Sequence, residues 1–300
     1  MFAIFFILCE SSFCEDISES NPQKNADGVS LAESLDLGPL SASTPGPRWM
    51  GWTWLGIEFV AFPIVASQYW WKHAFGQNPF THIREQEPYL EDKLWHFWNG
   101  ENVTDGNYWV LKKYFDKDSP FLAMGMSFIL STAVEILDAS DKDNTWGLSL
   151  LDGASNIGGI LFWYAKYKYP DKIPIDVRIG FRRWDSAHLI FERALRFDAT
   201  FHASEAHPDE CCPSTHYDNY SIFKTEVIVR PYSYFYFGGA ASLAVDENGC
   251  GKSENLFGVT VGFDAIRYLA HKYPNDFTPF LNTFGKYCSL SIAYTYWFED

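Results

Sequence analysis

The chain is expected to be an α+β protein: an N-terminal helical bundle, packed in water or embedded in a membrane, followed by an antiparallel β domain, barrel-like or meander. Three observations point there. Polar pairs one helical turn apart recur between residues 49 and 170, and helical residues three or four apart share a face. From Ile175 onward apolar residues repeat every second position, the period of a strand with one buried face. Tyr169-Pro170 divides the two regimes, because proline cannot continue a helix.

The elements follow in order. Residues 2–8 are apolar and are followed by small and polar residues, so 1–14 reads as a signal peptide. Residues 15–48, rich in Ser, Asn, Pro, Gly and acids, read as a disordered acidic linker. Residues 49–71 are long enough to cross a bilayer, and a buried bundle helix reads the same way. Pro63 should kink or end that helix. Residues 91–115 read as one helix, or as two broken near Asn99-Gly100. Ser119 and Pro120 form a cap and first-turn pair for the next helix, which should run to about residue 139. After a polar turn at 141–144, the last helix should start near Ser149 and end near Tyr169. Gly153, Gly158 and Gly159 on it permit close helix–helix approach.

Within these helices, Asp92 and His96, Glu135 and Asp138, and Asp152 and Asn156 sit one turn apart in apolar or aromatic surroundings. Ionisable groups in such surroundings are costly, and are paired or functional. One histidine among several carboxylates suits divalent-metal ligation or acid–base chemistry. Asp92, His96, Glu135 and Asp152 are the catalytic candidates; Lys93, Asp138, Ser149 and Asn156 are candidates for binding a ligand or organising the helices. The alternative is that the pairs only hold helices together, with Glu135 accepting from Lys93.

Asp92-Lys93 with His96-Phe97, then Glu135 near Asp138, then Gly147-x-Ser149-x-x-Asp152-x-x-x-Asn156-x-Gly158 resembles the YfiM-like family of predicted periplasmic lipoproteins, a domain of unassigned function. A weaker form of the pattern resembles VanZ-like membrane proteins. The resemblance covers roughly residues 50–165 and implies a bacterial cell-envelope protein. The family's lipobox has no good counterpart at Cys9 or Cys14.

In the second half, alternation recurs at 175–182, 195–202, 222–230, 235–245, 257–269 and 290–298. An apolar face opposed by charged or small residues fits a membrane barrel; the alternative is a soluble sheet packing one face on the helices. Gly251-Lys-Ser253 lacks the earlier glycine of a phosphate loop. No Cys-x-x-Cys supports zinc among the six cysteines; adjacent Cys211 and Cys212 rarely bond to each other, and one could pair with Cys250 or Cys288 in an oxidising compartment. His202, His207 and His216 leave a metal loop as an alternative there.

Composition bounds the partners. A net charge of −15 argues against nucleic acid, whose phosphates need clustered Lys and Arg. The 12 Trp, 17 Tyr and 26 Phe point to membrane lipids, because aromatics collect at membrane interfaces and on outer-membrane barrels. Mean hydropathy of −0.17 excludes a dense polytopic helical protein. The expected location is the cell envelope, at the outer membrane or the periplasmic face, with a structural or maintenance role. The competing expectation is a metal- or carboxylate-dependent enzyme acting on a lipid-linked or cell-wall substrate.

Overall fold

The computed structural model describes residues 45–64, 76–81, 90–140, 148–170, 172–181, 223–230, 234–244, 254–272, 288–289 and 292–298. The expected signal, most of the linker, the turn at 141–144, the alternation at 195–202 and every cysteine except Cys288 lie outside them.

Helix α1 (Arg48–Gly56) passes into a π-turn (Ile57–Ala61), and helix resumes over 62–64. Proline 63 lacks the N–H that would bond to the carbonyl of residue 59, and its ring crowds that carbonyl. The chain yields just ahead of it, with the Phe62 N–H reaching back to Ile57 O, the wider repeat of a π-turn. Helices α2 (Leu90–Phe115), α3 (Pro120–Ser140) and α4 (Leu150–Lys168) follow. The break considered near Gly100 does not occur, and the glycine has another use. A Cβ on Gly100 would lie 2.2 Å from Asn156 O, and one on Gly159 would lie 1.9 Å from Phe97 O. Bare backbone at both positions lets α2 and α4 touch main chain to main chain. Gly153, expected to help, faces open space.

The β half forms strands β1 (Ile175–Phe181), β2 (Phe223–Val229), β3 (Phe235–Ala244), β4 (Glu254–Phe263), β5 (Cys288–Ser289) and β6 (Ile292–Phe298), in sheet order β5-β1-β2-β3-β4-β6. Neighbours are antiparallel except β1 and β5. The alternation read through residue 269 ends earlier, because helix α5 (Ala265–Lys272) follows β4 directly. The sheet must also be curled. Laid flat, its outer strands would stand about 24 Å apart, yet only three residue steps, about 10 Å of extended chain, link Ser289 to Ile292.

The polarity of the faces inverts that of a soluble sheet. Val227, Phe235, Phe237, Phe257, Val259, Val261, Tyr294, Tyr296 and Phe298 are exposed, and the pairing register places them on one face. The opposite face buries Arg178, Lys224, Glu226, Ser242 and Thr260. The helices follow suit. Phe121, Leu122, Phe128 and Ile129 of α3 and Leu150, Leu151, Ile157 and Leu161 of α4 are exposed, while Glu101, Asn107, Ser127, Glu135 and Asn156 are buried. Among the described residues, α3 alone is long and apolar enough to cross a membrane.

One chain of ion pairs joins the halves. Glu101 of α2 meets Lys166 of α4 at 2.9 Å, and Lys166 meets Asp176 of β1 at 2.7 Å. Asp176 pairs with Arg230, which lies 3.6 Å from Asp264. Asp264 and Glu226 flank Arg178 at 3.4 and 3.5 Å, and Lys224 closes on Glu226 at 2.6 Å. Acids and bases alternate along it, four of each sign. The Arg178 guanidinium also lies 4.3 Å above the Tyr236 ring.

Candidate functional site

Asp92, Lys93 and His96 come from the first turns of α2, Glu135 and Asp138 from the end of α3, and Asp152 and Asn156 from the start of α4. The glycine contacts between α2 and α4 set the spacing. Ser149 fixes the start of α4: its hydroxyl accepts from the Asp152 N–H at 3.1 Å, as a helix cap does. Asp152 then lies in the first turn, where the helix dipole favours a carboxylate.

The three helices bring their polar groups together around His96. On one edge of the ring, Nδ1 lies 3.2 Å from Glu135 Oε1 and 3.2 Å from Asn156 Nδ2. Asn156 Nδ2 also donates to Glu135 Oε1 at 3.0 Å, tying α4 to α3. On the other edge, Nε2 faces Asp92 Oδ1 at 3.6 Å and Asp152 Oδ2 at 3.8 Å. Lys93 bridges these two acids, donating to Asp92 Oδ2 at 3.0 Å and to Asp152 Oδ1. Its ion pairs thus join α2 to α4, and not α2 to Glu135 of α3 as in the alternative in which the pairs only hold helices together. Burial works against the charged ring, but Asp92, Glu135, Asp152 and Asp138 outweigh it and raise the His96 pKa above its ordinary 6.5. The same contest raises Lys93: burial opposes, while Asp152 and Asp92 hold the ammonium charged. Asp138 acts through its field on this group.

Asp92, His96 and Asp152 each offer a ligand atom, and these atoms lie within 4.8 Å of one another, so the three could hold a metal ion. The site is polarised for it. The Nε2 edge faces the two aspartates, while the Glu135 carboxyl faces the Nδ1 edge, the arrangement in which a metal-binding histidine is oriented and made more basic. Glu135 itself is pushed from its ordinary 4.5 up to about 8, chiefly by burial, with His96 opposing and Asp152, Asp138 and Asp92 adding to the rise.

All eight residues singled out in the sequence lie at or beside this centre. The sequence reading missed Glu58, Asn107 and Ser127, which meet where α1, α2 and α3 pack, and the ion-pair chain through Glu101 and Arg178. A lone acid in the apolar run of α1 was the available signal for Glu58. No protein-family model, curated protein or solved structure matches the chain.

Proposed function

We propose that the chain is a membrane-associated component of a bacterial cell envelope whose helical half holds a divalent-cation centre. Asp92, His96 and Asp152 are the ligands, Glu135 orients the histidine, and Asn156 holds Glu135 in place. The observation that carries this reading is the convergence of three ligand atoms from two helices onto one point, with the far edge of the imidazole held by a carboxylate. Bound there, the cation would act as a Lewis acid or activate water on a lipid-linked or cell-wall substrate. Lys93 lies beside the same point and would steady negative charge on that substrate. The exposed apolar faces of α3, α4 and the sheet support membrane contact, since patches of this extent mark membrane or partner surfaces. The resemblance to YfiM-like proteins supports an envelope location.

A second reading has one specific observation in its favour. Lys93 already joins Asp92 to Asp152, and this bridge could serve only to hold α2 against α4. One preparation tests the proposal. The full chain, recovered from carbonate-washed membranes and purified in detergent, should carry about one divalent metal per molecule by elemental analysis. Recovery in the carbonate wash, or a metal-free chain that takes up neither Zn2+ nor Mn2+, would contradict it.

A further inference from the structure

A second buried acid lies apart from the cation centre, on the π-turn of α1. Glu58 is 8% exposed and Asn107 is 1% exposed. Asn107 Nδ2 donates to Glu58 Oε1 at 3.0 Å and to Ser127 Oγ at 3.1 Å. The Ser127 hydroxyl is itself spent on Ala123 O at 3.0 Å. Two acceptors are left over, Glu58 Oε2 and Asn107 Oδ1, both buried and both without a hydrogen-bond partner among the described residues. Leaving either unmade costs the desolvation of that group, roughly 1–3 kcal/mol, and more for a charged one.

The two unpaired oxygens belong to the same two groups that already share one hydrogen bond. A carboxylic acid and a primary amide can close a ring of two hydrogen bonds. The amide N–H donates to one carboxyl oxygen, and the O–H on the other donates to the amide oxygen. We infer that Glu58 carries a proton on Oε2 and closes this ring with Asn107, making a proton-binding site between α1 and α2. One added proton gives each of the orphaned oxygens a partner, one as donor and one as acceptor.

The local electrostatics agree. Burial pushes the Glu58 carboxyl from its ordinary 4.5 up to about 7, against hydrogen bonds from Asn107 and Trp54 that favour the charged form. Among the described residues, the polar groups set against it are Trp54 on its own helix, Asn107 on α2 and, through Asn107, Ser127 on α3, none of them an acid or base that titrates near neutrality. The proton is therefore held in mildly acid surroundings and released slightly above neutrality. Its loss leaves an uncompensated charge at the π-turn and loosens the seam between α1 and α2. The sign follows from linkage. An unfolded Glu58 ionises near 4.5 and the folded one near 7, so stability falls as pH rises between them and levels off above. At about tenfold per pKa unit, the folding constant changes on the order of a hundredfold.

Infrared titration of the full chain in detergent tests the site, with Glu58→Gln alongside. Glutamine can make both hydrogen bonds to Asn107 without a proton, so the variant should fold. The native-minus-Glu58→Gln difference spectrum should show a protonated-carboxyl carbonyl band at about pH 6 that fades by about pH 9, the subtraction removing the band of Glu135, which burial holds at about 8. The native chain's stability should fall between about pH 4.5 and 7 relative to the variant and level off above. Should Glu58→Gln not fold, Asn107→Leu keeps the acid and removes its partner, and the band should move to higher frequency. A difference spectrum without such a band at pH 6, matching pH profiles for native and Glu58→Gln, or a band indifferent to Asn107→Leu would overturn the inference.

Discussion

At the residue scale, what distinguishes the candidate centre is that its two imidazole edges have different partners. Glu135 and Asn156 face Nδ1, and Asp92 and Asp152 face Nε2. Glu135 is therefore a positioning residue. Glu135→Gln keeps an acceptor beside Nδ1 but removes the charge that makes the ring basic, so it should weaken divalent-cation binding about 10–100-fold with the fold retained. Titration with Zn2+ in a competing chelator, beside a melting curve, measures both. Unchanged affinity would remove Glu135 from the centre. Helical spacing made the paired residues legible in the sequence, because one face per turn is a local rule. It could not give the partner of Lys93. A long flexible side chain reaches well away from the direction of its Cα–Cβ bond, and which acid it meets depends on how closely α2 and α4 pack. That closeness rests on Gly100 and Gly159, and the sequence signalled only the second as a contact.

At the scale of elements, the helices and most strands were legible because their punctuation is local: Pro120 opens α3, Ser149 caps α4, and Pro170 follows its end. Two features were not. The strand reading ran past Phe263 because Ala265, Ile266 and Leu269 are apolar at spacings that fit either period, and only Asp264, engaged with Arg178 and Arg230, marks the change to helix. The buried face of the sheet was also open, since alternation says that two faces differ and not which one is covered. The covered face proves to be the ionic one. Apart from Lys224 with Glu226, its pairs are non-local, linking Asp176 to Arg230 and Arg178 to Asp264, and nothing in a sequence window joins those. Arg178 is fully buried between two acids. Arg178→Met should destabilise the chain by roughly 3–5 kcal/mol, because it strands buried carboxylates. The double variant Arg178→Met with Glu226→Leu should recover part of that loss. Denaturant midpoints of the native, single and double variants check it; a single variant as stable as the native chain would mean the ion-pair chain is solvated.

At the scale of the whole molecule, both halves bury ionic groups and expose many large apolar side chains, alongside a buried apolar core that includes Trp98, Val110, Trp163 and Ile228, and one alternating chain of ion pairs runs from α2 to β2 through the seam between them. Composition anticipated this only as an aromatic excess; the inversion itself appears once strand register and helix packing assign each side chain a side. The candidate centre lies among those buried polar groups, so the site and the apolar exterior belong to one architecture. The most direct test of the centre compares Lys93→Met with His96→Gln for binding of Mn2+ or Zn2+ to the full chain in detergent. Removing the ammonium frees Asp92 and Asp152, so Lys93→Met should bind the cation more tightly than the native chain, and His96→Gln should bind it at least a hundredfold more weakly. If instead Lys93→Met fails to fold while the native chain and His96→Gln bind no cation, the cluster is a brace between helices, and the account of a metal centre is wrong.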